Sequence, residues 1–144
     1  MRALWLVGVM VAIGCNDRRK SSLEAEHKLL GLYNNAKRIY SESGVFPVGI
    51  VPLTPETPCC KGPQQRCVSS REVWQHPVWK ALGFHVDEPG RFQYSYESDG
   101  KTITAKAVGD LDCNGITSLT VLSARLDRNG NPELTLLSPG FNVE

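Results

Sequence analysis

Residues 91–108 read RFQYSYESDGKTITAKAV, and this stretch decides the fold. Arg91 to Tyr96 alternates polar with aromatic side chains, Ser98-Asp99-Gly100-Lys101 supplies turn chemistry, and Thr102 to Val108 alternates again. Successive side chains of a strand point to opposite faces, so a period of two on both sides of a turn predicts a hairpin with one face buried. The pattern recurs downstream. TSLTVLSARL (117–126) and ELTLLS (133–138) flank Asp127-Arg128-Asn129-Gly130-Asn131-Pro132, whose Asn-Gly predicts a second hairpin.

Upstream the period changes. Residues 21–43, SSLEAEHKLLGLYNNAKRIYSES, place Leu29, Leu32, Tyr33, Ala36, Ile39 and Tyr40 three or four apart, which makes one apolar stripe on a helix. Ser21 or Ser22 is the expected N-cap, Glu24 favours the first turn, and Gly44 followed by Pro47 gives the stop. The expected fold class is therefore α+β: one long N-terminal helix packed on an antiparallel meander. Between them, residues 44–70 are rich in proline and show no period, which predicts an irregular connector. Residues 71–86, REVWQHPVWKALGFHV, suggest a short helix from about 77 to 82 with Pro77 in its first turn, and Trp74 and Trp79 as core anchors, an exposed aromatic binding face being the other reading.

The connector contains TPCCKGPQQRC (57–67), and the compartment decides what its cysteines do. Residues 1–14, MRALWLVGVMVAIG, join a positive Arg2 to an apolar run of about eleven residues. That run is shorter than the roughly 20 residues a spanning helix needs. It ends at Ala12-Ile13-Gly14-Cys15, which matches a bacterial lipobox. The expected organisation is a lipoprotein signal peptide over 1–14, a short tether over 15–22 starting at an acylated (palmitate-type) Cys15, and a globular domain over 23–144.

An exported chain meets an oxidising environment. With Cys15 lipidated, Cys59, Cys60, Cys67 and Cys113 form an even set that reads as two disulfides. A bridge between adjacent Cys59 and Cys60 needs a strained ring. Two pairings stay open: Cys59–Cys67 with Cys60–Cys113, or Cys60–Cys67 with Cys59–Cys113. Zinc and redox readings are weak, because the chain holds no Cys-x-x-Cys and His27, His76 and His85 fall on no ligand spacing with the cysteines.

Sixteen basic against 15 acidic residues leave no basic stripe, so no nucleic-acid partner is expected. Enzyme motifs are missing: there is no G-x-S-x-G, no H-E-x-x-H and no phosphate-cradling glycine loop. His76 is expected to be a surface or capping residue and His85 to be partly buried. Asp110-Leu111-Asp112-Cys113-Asn114-Gly115 has the order of the first half of a calcium loop, with Asp110, Asp112 and Asn114 as candidate oxygen ligands and Ser118 at the ninth position. The twelfth position is Val121, where a full loop has an acid; the other reading is a polar turn between strands.

Several stretches in this order resemble the globular domain of type IV pilin-like proteins of deltaproteobacterial type. They are Leu23-Glu24-Ala25 through Tyr33 to Tyr40, Gly44-Val45-Phe46-Pro47, Thr57-Pro58-Cys59-Cys60, Trp74, Trp79 and Leu82-Gly83-Phe84, Pro89-Gly90-Arg91-Phe92-Gln93-Tyr94, and Ala107-Val108-Gly109-Asp110-Leu111-Asp112. The resemblance covers about residues 23–120. It departs at the start, where a pilin carries a membrane-length apolar helix and this chain carries the lipobox. The resemblance implies a non-enzymatic head that acts by protein–protein contact, as an accessory to a type IV pilus or secretion filament. The lipid anchor implies membrane attachment in the cell envelope. The alternatives are a calcium-stabilised envelope or extracellular binding module and a structural envelope lipoprotein.

Overall fold

The structure, a computed structural model, describes residues 15–143, with side chains placed from 22 to 138. The signal peptide expected over 1–14 and the side chain of Cys15 lie outside the described residues.

The first helix, α1, runs Cys15–Ser43, and the backbone expected as a tether is continuous with it. Neither Ser21 nor Ser22 caps a start. Residues 15–20 hold no proline or glycine to stop the turn, and each residue added to a formed helix gains one hydrogen bond. Ala25, Leu29, Leu32, Tyr33 and Ala36 are buried, with Ile39 and Tyr40 packed at the margin. The helix stops where expected. Gly44 takes φ +78° and its N–H bonds the Tyr40 carbonyl at 2.8 Å. A left-handed residue there favours glycine, which has no Cβ to clash.

Five antiparallel strands form one sheet in sequence order: β1 (Gly49–Thr54), β2 (Gln93–Ser98), β3 (Thr102–Gly109), β4 (Thr117–Leu126) and β5 (Pro132–Val143). The two predicted hairpins are β2–β3, with Tyr96 opposite Ala105, and β4–β5, with Leu122 opposite Leu137. β1 corrects the reading of 44–70 as wholly irregular: it adds to the sheet with Ile50 opposite Glu97 and Val51 opposite Tyr96. The second helix, α2, is Pro77–Leu82, as expected, with Pro77 in its first turn.

The period of two sorts the sheet into faces. Tyr94 and Tyr96, Ile103, Ala105 and Ala107, and Leu122 and Ala124 face the helix and are buried. α1 lies over β3, β4 and β5 on this side. Beside it sits an aromatic cluster: Trp79 and Phe84 have ring centroids 5.0 Å apart, and Trp74 packs edge-on to both. Trp79 is fully buried and its Nε1 donates to Thr54 Oγ1 at 3.0 Å, so this indole leaves no unmet donor. Asn35 Nδ2 donates to the Leu82 carbonyl at 3.0 Å, joining α1 to α2. The whole is an α+β, disulfide-bonded fold with one core.

Candidate functional site

Residues 55–92 leave the sheet after β1 and return at β2, passing through three short 3-10 turns and α2. Two bridges order this excursion. Cys59–Cys67 closes a loop within it, and Cys60–Cys113 ties it to the β3–β4 loop. Of the two pairings open to the sequence, the structure has this one. All four sulfurs are thereby committed. The Cys67 N–H also bonds the Gly90 carbonyl at 2.8 Å. Gly62 is needed where it stands, because a Cβ there would meet the Arg66 carbonyl oxygen. Gln64 and Gln65 hold positive φ, at 55° and 57°, a strained choice for residues with a Cβ that the short closed loop maintains.

The β3–β4 loop brings Asp110, Asp112 and Asn114 together in one polar turn. Asp110 accepts from the backbone N–H of Asn114 at 3.1 Å and of Gly115 at 2.7 Å, Asp112 accepts from Asn114 Nδ2 at 3.1 Å, and Asn114 Oδ1 accepts from the Ile116 N–H at 2.8 Å. Ser118 is not part of this turn: it is buried in β4, opposite Gly109. Among the described residues no group of three His, Cys, Asp or Glu side chains is placed to hold a metal ion. The Asp110 and Asn114 oxygens read as calcium donors here close the turn on its own backbone, which is what Asp and Asn do in tight connections, while Asp112 accepts from the Asn114 side chain.

The histidines are dispersed. His76 is the N-cap of α2, its Nδ1 accepting from the Val78 N–H at 3.2 Å. His85 keeps 46% of its side chain exposed, with Nε2 3.1 Å from Asp87 Oδ2. His27 lies on the exposed side of α1.

A feature the sequence did not announce is the sheet face opposite α1. Among the described residues nothing packs over it. Ile50 is 69% and Leu136 46% exposed there, and Val108, Leu119 and Val121 are only partly buried. Ser95, Glu97, Thr104 and Lys106 separate them. A shallow groove of about 500 Å3 runs between Ile50 and Leu53 of β1 and Leu119 of β4. The signal available was the polar half of each alternating strand, in which Val108, Leu119 and Val121 stand where a fully solvated face has polar residues.

Comparison with family models, with curated proteins and with solved structures finds no match.

Proposed function

We propose that this chain is a membrane-tethered, non-enzymatic, pilin-like protein that acts by protein–protein contact, as an accessory to a type IV pilus or secretion filament in the cell envelope. The observation that carries the reading is the two-sidedness of the sheet. One face is closed by α1 and the aromatic cluster, and the other presents Ile50, Leu136 and their apolar neighbours to solvent. Large apolar side chains left exposed on one sheet face of a small domain, set among polar ones, are available to a protein partner. The tether supports the same reading. α1 is helical from Cys15, the first described residue, and the first of its buried residues with placed side chains is Ala25, so about two and a half turns lie between the proposed lipid attachment and that residue. Among the described residues no helix is long and apolar enough to cross a membrane. In this reading attachment is through acyl chains on Cys15, which hold a protein at a membrane surface. The calcium-stabilised module has less support, since the Asp110 oxygens already accept backbone N–H groups.

The test is recovery of the tagged full-length protein from membranes, with mass spectrometry of what accompanies it. Filament or secretion components, an acylated Cys15 and release of Cys15→Ser into the soluble fraction are expected. Ile50→Glu with Leu136→Glu should abolish partner capture without lowering Tm. Even envelope distribution with no such partners would leave a structural lipoprotein instead.

A further inference from the structure

A second surface lies on the other side of the molecule, between the 3-10 turn Arg71–Trp74 and α2. It is a cleft of about 280 Å3. Its floor is aromatic and buried, formed by Trp74, Trp79 and Phe84; its rim carries Arg71, Lys80 and His85, all exposed. No carboxylate lines it. Two acids lie close to the rim: Asp87, which faces His85, and Glu72, which follows Arg71 in the chain and makes no ion pair with it. Arg71 and Lys80 make no ion pair among the described residues, so two cations stand over an apolar floor without a paired counter-charge.

One floor residue carries an independent mark. Trp74 is 4% exposed, and its indole Nε1–H finds no hydrogen-bond partner among the described residues. Buried donors are almost always paired, and an unpaired one has a reason. Its neighbour makes the contrast: the Trp79 indole already donates to Thr54 Oγ1 at 3.0 Å. Trp74 is also held firmly, edge-on to Trp79 at 5.8 Å and to Phe84 at 5.6 Å, so its N–H is fixed in direction before any ligand arrives.

We propose that this cleft is a carboxylate site that takes one acidic side chain of a protein partner. Arg71 and Lys80 supply the charge, and the Trp74 N–H supplies the donor that fixes the oxygen. The assignment rests on the protein-contact reading above and names the chemistry of one contact. The size permits it: the cleft falls just below the roughly 300–1,000 Å3 of cofactor and drug-sized pockets and admits one side chain with room for water. The energetics fit too. A charge-assisted hydrogen bond is stronger than a neutral one, and an apolar floor strengthens it further. The Trp74 N–H is closed to solvent in the free protein, so a carboxylate bonds it only when side chains of the cleft shift, and the rim residues Arg71, Lys80 and His85 are exposed.

The test follows the indole N–H resonances of the full-length protein by NMR, assigned with Trp74→Phe. The probe is a blocked pentapeptide, acetyl-Gly-Gly-Glu-Gly-Gly-amide; its Gln counterpart and inorganic phosphate are the comparison arms. The Glu peptide is expected to move the Trp74 resonance downfield, saturably, and to leave Trp79 in place. The Gln peptide and the Arg71→Gln/Lys80→Gln variant should each bind about tenfold more weakly or less. An unmoved Trp74, a Trp79 that moves with it, or equal binding of the Gln peptide overturns the proposal. A response to phosphate as strong as that to glutamate overturns it as well, since the cleft would then be a general anion site. The result is separable from the recovery experiment: a Trp74 response with no filament partner recovered keeps the site and removes the filament reading.

Discussion

Asp99 and Asp127 each close a hairpin with one side chain. Asp99 Oδ1 accepts from the N–H of Lys101 at 2.9 Å and of Thr102 at 2.8 Å, and Asp127 Oδ1 from the N–H of Asn129 and Asn131, both at 2.8 Å. Hydrogen bonds to the ionised form favour it. The Lys101 and Thr102 amides hold Asp99 below the usual carboxylate range, and the Asn131 amide does the same for Asp127. The sign follows: a group whose folded pKa is depressed stabilises the fold above its unfolded pKa, and that contribution is lost as pH falls through the lower folded value. Tm should therefore drop as pH falls below about 4, and the drop should be shallower in the Asp99→Asn/Asp127→Asn variant, read by thermal melts from pH 6 to 2.5. Both aspartates were legible as turn residues in the sequence. The orphan indole of Trp74 was not, because nothing in the sequence separates it from Trp79; only the placement of Thr54 tells which indole is satisfied.

The excursion over 55–92 shows how far elements could be read. Its order comes from covalent closure rather than from a period. Cys59–Cys67 spans a sequence separation of 8 and Cys60–Cys113 one of 53. In the chain-entropy picture the longer loop contributes more, about 4 against about 2.5 kcal/mol. Cys60→Ala/Cys113→Ala should lower stability by more than Cys59→Ala/Cys67→Ala, measured by urea unfolding. β1 escaped the sequence reading because Gly49 and Pro52 break its alternation, and an edge strand tolerates both where a central one does not. β5 runs beyond the predicted 133–138 to Val143. Pro139-Gly140 reads as a stop, but the β4–β5 register shifts between Leu119 and Val121, and pairing resumes with Phe141 opposite Leu119. The helix, both hairpins and α2 were legible because each carries an unbroken period or a turn signal of its own.

At the scale of the whole molecule, α1 and the aromatic cluster share one face of one sheet, so neither has a core of its own. Leu122 of β4 is fully buried at the centre of that face. Leu122→Ala should cost about 2–5 kcal/mol. Unfolding followed by tryptophan fluorescence should coincide with unfolding followed by far-ultraviolet circular dichroism, as for a single cooperative unit. Which face would be covered was legible from the aromatic half of residues 92–96. What meets the other face was not, since a mixed apolar and polar row serves a solvated surface and a contact surface alike.

The neighbouring half-cystines of Cys59 and Cys60 also govern how the protein answers force. Drawn from its two ends, the oxidised chain transmits tension from residue 60 straight to residue 113, and everything between, including β2 and β3, is slack. Reduction would return that length, about 180 Å at full extension for a separation of 53 residues. An oxidised chain drawn from its ends therefore comes up short by that length, because only the segments outside Cys60–Cys113 can pay out.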